Sequence, residues 1–290
     1  MEKVRIENLK SGMKLAKTIY SPEGLILVRA DTAITDHIIS KLRQLGLPAA
    51  YIGTSNEEKI PEPVSEMTRV DLIRSLSKLD SEVRSGQNAN LLASKGPLFD
   101  LVDEIVTNHK TLIGMTDIRL RKDYIYGHSV NVCIIAVKIA IHMSYNQLKL
   151  ADLAVGALFH DLGMTKVPIE ILDKIGGLTD PELKLIHTHP EEGYNLLKQN
   201  QSIAASSAHV AYQHHERFNG TGYPRGMAGE AIHEFARITA IADVYDSMTT
   251  ERLYRHAKSP AEAMNYIHQN RGIEFDPNIV DIMDKIVYGS

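Results

Sequence analysis

The 290-residue chain predicts a mainly all-α protein, a helical bundle behind a small N-terminal α+β unit of hairpin plus helix. Three observations point there. Apolar residues recur at helical spacing from Val70 onward, and few strand-like runs follow residue 60. A polar, proline-bearing stretch over 54–66 separates the two regimes.

Leu15 to Tyr20 and Leu25 to Arg29 are short apolar runs around Ser21-Pro22-Glu23-Gly24, which has turn chemistry, so a hairpin is expected. Thr35 to Leu45 carries Ile38, Ile39, Leu42 and Leu45 on one helical face and stops at Gly46, with Pro48 just beyond. Residues 1–53 are read as one small accessory unit and 54–66 as its linker. Over 67–118 two stripes, Leu72/Ile73/Leu76/Leu79 and Leu98/Leu101/Val102/Ile105/Val106, predict a helical connector. From 119 to 290 lies the larger unit, with helices expected over 128–143, 148–160, 181–199, 202–215 and 231–248.

Composition narrows the function classes. Thirty-two basic residues stand against 36 acidic ones, and no basic stripe suggests a nucleic-acid polymer as partner. Cys133 is the only cysteine, so no internal disulfide forms and a reducing compartment is expected. Its apolar neighbours make it a small buried hydrophobe. The first residues lack the apolar core of a signal peptide, and no apolar run reaches the ~20 residues a bilayer demands. A cytoplasmic protein with no membrane insertion is the expectation.

Chemistry concentrates from residue 128 onward. His128, His160-Asp161, His189, His214-His215 and Asp243 follow one another there, and these side-chain types bind transition metals through nitrogen and oxygen. The doublets sit at predicted helix ends, where neighbours can aim at one centre; within a helix they would diverge by ~100°. Asp243 lies in the apolar run Ile238 to Ala242, where a carboxylate needs a partner to offset its burial. A carboxylate among histidines can bridge two metals, which points to a metal-dependent phosphohydrolase. The remaining histidines, His187 among them, are read as packing or surface residues. Asp246 is open between the helix surface and support of a ligand.

From Tyr124 to about Pro277 the chain resembles the HD-GYP domain of the HD phosphohydrolases. The resemblance rests on HDLG at 160–163, VPIEILDK at 167–174, LTDPELKLIHTHPEEGYNLL at 178–197, HHERFNGTGYPRG at 214–226, ARITAIADVYDSMTTERLYR at 236–255 and FDP at 275–277. It implies hydrolysis of cyclic di-GMP to linear pGpG and/or GMP, through two divalent ions, iron or manganese, with zinc also compatible. It implies His128, His160, Asp161, His189, His214, His215 and Asp243 as metal ligands, with Asp161 bridging. It further implies Tyr223, Arg252 and Arg255 as substrate contacts. Guanidinium pairs with phosphate bidentately, which suits such positions.

Two departures from the family pattern stand out. The motif lysine after HDxG is Met164 here, and Lys166, two residues later, is the candidate replacement. A glutamate that binds a third metal in some members is Tyr124, so two metals are expected. The missing lysine keeps open a catalytically weak or inactive cyclic di-GMP receptor or scaffold, and cyclic GMP-AMP is a competing substrate. Partners compatible with the family are GGDEF-type or other signalling proteins docking on the GYP loop, and a homodimer.

Overall fold

The computed structural model describes residues 2–21, 25–53, 62–87, 90–109, 111, 124–174, 176–251 and 256–289. Strand β1 (Glu2–Arg5) opens the N-terminal unit, followed by β2 (Ile19–Tyr20) and β3 (Ile26–Val28). β2 and β3 pair antiparallel, Ile19 opposite Val28, which is the expected hairpin; Pro22 to Gly24 of its turn lie outside the described residues. Helix α1 (Asp36–Gln44) begins where Thr35 Oγ1 accepts from the Ile38 N–H at 3.3 Å. β4 (Ala49–Ile52) then returns to pair antiparallel with β1, Arg5 opposite Ala49. Ile6, Leu9, Leu15, Ile34, Ile39, Leu42, Leu47 and Ala50 fill this unit's own core.

A second core is shared by all the longer helices. α2 (Glu66–Arg84) buries Leu72, Leu76, Leu79 and Val83, and α3 (Lys95–Thr107) buries Leu98, Leu101, Val102 and Ile105. Both pack on α4 (Tyr124–His142), which is apolar on every side and buried from Gly127 to Ala140. A helix hydrophobic all round belongs at the centre of a bundle. Among the described residues α4 alone has the length and apolar content to cross a bilayer, and most of it is enclosed by other helices. The linker read over 54–66 lies largely outside the described residues, as do residues 112–118 of the connector and 119–123 of the larger unit.

α5 (Gln147–Leu158) lies against α4 and runs into a 3-10 turn over Leu162–Lys166, then the single turn α6 (Ile169–Leu172). The helix expected over 181–199 is two: α7 (Asp180–Ile186) and α8 (His189–Lys198). Pro190 explains the break, because it has no N–H to give and would clash with the preceding turn. α9 (Ala205–Gln213), α10 (Glu234–Thr249), α11 (Pro260–Gln269) and α12 (Pro277–Tyr288) complete the bundle.

The 3-10 turn is pressed onto the start of α8. A Cβ on Gly163 would stand 1.9 Å from the His189 carbonyl oxygen and 2.6 Å from the Gly193 nitrogen, both backbone atoms that cannot step aside. Gly163→Ala should therefore cost about 3 kcal/mol, as overpacking against fixed backbone does. Gly177→Ala, at a site with nothing within 4 Å, should stay within about 0.5 kcal/mol. Urea unfolding of both variants checks this, and equal midpoints would count against the close approach.

Candidate metal centre

Five elements deliver the clustered residues. His128 comes from the first turns of α4, and His160 and Asp161 from the end of α5. His189 opens α8, His214 and His215 follow α9, and Asp243 sits on α10. Their side chains converge into two adjoining groups: Asp161, His189, His214 and His215, and beside it His128, His160 and Asp243. Within each group the potential ligand atoms lie within 4.8 Å of one another.

Asp161 stands between the groups. Its Oδ1 is 3.3 Å from His189 Nε2 and 3.6 Å from His214 Nε2, while Oδ2 is 3.4 Å from His160 Nε2. In the second group Asp243 Oδ1 lies 2.9 Å from His128 Nε2.

The imidazoles are oriented from behind. His160 Nδ1 donates to the Ala157 carbonyl at 2.8 Å and His189 Nδ1 to that of Ile186 at 2.7 Å. His214 Nδ1 faces the Val210 and Ala211 carbonyls at 3.1 and 3.0 Å. Nδ1 of His128 is 2.6 Å from the Asp246 carboxylate. Each of these four rings thus spends its Nδ1 proton on the scaffold and turns Nε2 inward, the arrangement that suits a metal ligand. His160 Nε2 is buried with no hydrogen-bond partner, a costly state for a polar atom. A divalent ion fits these residues: it would take up the orphaned nitrogen, and the mixed imidazole and carboxylate donors suit such ions.

Electrostatics separates the two groups. Burial drives His189 down to about 4, and burial with the charge of His214 drives His215 well below the ordinary histidine range. Burial also opposes charge on His128 and His160, yet Asp243 and Asp246, hydrogen-bonded to His128, and the charge of Asp161 beside His160 outweigh it and raise both. Burial pushes Asp161 and Asp243 up, but the surrounding histidines more than reverse this and hold both carboxyls low.

The loop after His215 is built on Glu216, 3% exposed. Its carboxylate accepts from Arg225 N at 2.7 Å and Met227 N at 3.0 Å. Gly222 passes so close that a Cβ would meet Arg217 N at 2.3 Å. Asn219 Oδ1 accepts from Thr221 N and Oγ1 at 3.0 and 2.7 Å, a turn-stabilising role. The loop carries Tyr223 against the site, its ring stacked on His215 with centroids 4.8 Å apart. Burial and the charges of Asp161 and Asp243 raise the Tyr223 hydroxyl well above its ordinary value.

The seven candidate ligands and Tyr223 therefore meet in one place. Lys166 ends the 3-10 turn and is exposed, and among the described residues no hydrogen bond or ion pair joins it to the cluster. Arg252 and Arg255 lie outside the described residues. Two residues were undervalued by sequence reasoning. His187, read as a packing or surface residue, stacks on the Tyr223 ring with centroids 4.1 Å apart, because the break before α8 turns it toward the loop. Asp246 is fully buried and holds His128; its spacing of three from Asp243 on one helix was the available signal.

A family model described as an HD domain matches residues 89–279, more than half of the chain. A cyclic di-GMP phosphodiesterase of Pseudomonas aeruginosa is 37% identical over 192 residues, which is 65% of this chain and 46% of that protein. The 3'3'-cGAMP-specific phosphodiesterase 1 of Vibrio cholerae is 32% identical over 185 residues, 63% of this chain and 42% of that protein. The chain thus spans under half the length of either relative. The solved structure of the HDG"Y"P protein Bd1817 from Bdellovibrio bacteriovorus superposes with a TM-score of 0.62, covering 99% of both chains at 19% identity, a likeness of fold. With the family match covering more than half of the chain, the chain belongs to the HD domain family.

Proposed function

We propose that the chain is a metal-dependent phosphodiesterase that opens cyclic di-GMP to linear pGpG and/or GMP. One observation carries the reading: the two oxygens of Asp161 face two separate histidine groups, so one carboxylate can serve two ions. In this reading Asp161, His189, His214 and His215 hold one ion, and His128, His160, Asp161 and Asp243 the other. Iron or manganese is the preferred pair, with zinc compatible. When bound, the ions lower the pKa of water and stabilise charge on phosphate oxygens.

The chain's own residues do the rest. Tyr223, whose hydroxyl keeps its proton through the neutral range, is placed to donate a hydrogen bond to a phosphate oxygen. Arg252, Arg255 and Lys166 are proposed as cationic contacts for the remaining phosphate charge. Residues 119–290 form the catalytic unit, 67–118 its connector, 54–66 a linker and 1–53 an accessory unit. The exposed tip of the loop, Asn219 and Thr221, is the proposed docking point for GGDEF-type or other signalling proteins in the cytoplasm, with a homodimer as the assembly. The likeness to a 3'3'-cGAMP-specific relative favours that nucleotide as the second substrate to test.

Manganese-loaded protein, prepared anaerobically, should convert cyclic di-GMP to linear product and carry about two ions per chain. Asp161→Ala should abolish turnover and lower the metal content to one ion or none. A variant that keeps two ions would sink the shared-carboxylate assignment, and full occupancy without product would leave a receptor.

Proton linkage separates the two groups. His189 and His215 are already neutral at pH 7, so these two ligands should release few protons when an ion binds their group. His128 and His160 sit above their ordinary value, so an ion there must displace protons. Lowering the pH from 8 to 6 should weaken the second ion more than the first. Calorimetry in buffers of different ionisation enthalpy reads this directly, and equal proton release for both ions would refute it.

A further inference from the structure

Beyond the metal centre, one line of buried polar groups has no role in the chemistry above. Arg69 on α2 is 8% exposed, Asn131 on α4 2% and Asp246 on α10 0%. Arg69 Nη1 donates to Asn131 Oδ1 at 2.9 Å, and Asn131 Nδ2 donates to Asp246 Oδ1 at 2.9 Å. Thr250 Oγ1 also donates to Asp246 Oδ1 at 2.9 Å, and Asp246 Oδ2 takes His128 Nδ1 at 2.6 Å. At its outer end Arg69 Nε is 3.9 Å from Glu62 Oε2, and Glu62 is paired with Lys17 of the N-terminal unit. Lys17 in turn lies over the Tyr51 ring of β4, 5.2 Å from its centroid.

We infer that Arg69, beside the Glu62 carboxylate that Lys17 pairs with, is a positioning residue for His128, so that the N-terminal unit sets how well His128 presents Nε2 to a metal. Donor and acceptor capacity fixes the direction of every bond in the line. A guanidinium has only donors, so it must face the Asn131 oxygen, which commits the amide nitrogen to Asp246. An ionised carboxylate only accepts, so His128 must donate from Nδ1 and keep Nε2 for the centre. Without the guanidinium, Asn131 is free to flip and set its oxygen against Asp246, loosening the hold on the ring. Buried charged and amide groups cost stability compared with apolar residues of the same size, which favours a specifying role over a merely stabilising one. Only the last step, from ring to ion, rests on the metal reading above.

The test uses the full chain and two readouts. In metal-free protein, the Nδ1–H resonance of His128 is followed by NMR; in loaded protein, the Mn2+ affinity of the weaker-binding group at low pH is measured by calorimetry. Arg69→Met should lower that affinity about tenfold, the usual scale for a group supporting a ligand histidine. Glu62→Gln and Lys17→Met, nearer the surface, should lower it severalfold and shift the His128 signal, and they keep the inference testable should Arg69→Met fail to fold. In an Asp246→Asn background the same changes should have no further effect. An unmoved His128 signal in Glu62→Gln and Lys17→Met, or equal losses in the Asp246→Asn background, overturns the inference. A shifted signal in a chain that binds no Mn2+ overturns the metal reading and leaves the line intact.

Discussion

Asp161 has to reach two groups of histidines from a single backbone position, and that requirement shapes the elements around it. α5 must stop so that His160 and Asp161 leave the helix together, which the 3-10 turn after it achieves. The turn must then lie flat against α8, and Gly163 permits it where any side chain would strike the His189 carbonyl. His189 itself arrives because Pro190 ends the preceding helix and starts a new one in another direction.

Around that carboxylate the protein keeps unlike protonation states side by side. His189, buried, and His215, half-buried, sit among other imidazoles and shed their protons, while His128 lies between two carboxylates and retains one. The contrast follows from neighbours rather than depth, since His128 and His189 are both buried. It gives two adjoining positions of different character within one pocket, although the donor types are nearly the same.

Much of this was legible in the chain. The helical stripes of α2, α3 and α5 and the helix from Thr35 follow apolar spacing, which survives any packing arrangement. The ligand candidates were legible because doublets at helix ends and an aspartate in an apolar run are uneconomical without a function. The β1–β4 pair was not, because Glu2–Arg5 has a single apolar residue, Val4, and its partner lies some fifty residues away. His187 escaped notice for a similar reason: its contact with Tyr223 depends on a loop folding back from another part of the chain. Asn131 and Arg69 read as ordinary polar residues on helices; only the assembled bundle reveals that they meet.

The ring stack from His215 through Tyr223 to His187 has an optical consequence. The chain contains no tryptophan, so tyrosine dominates its near-ultraviolet absorption and emission. Tyr223 lies face to face with a histidine of the centre on one side and with an exposed imidazole on the other. A change of charge at His215 therefore alters the electric field across that chromophore, and a difference spectrum of the unlabelled protein registers events inside the pocket.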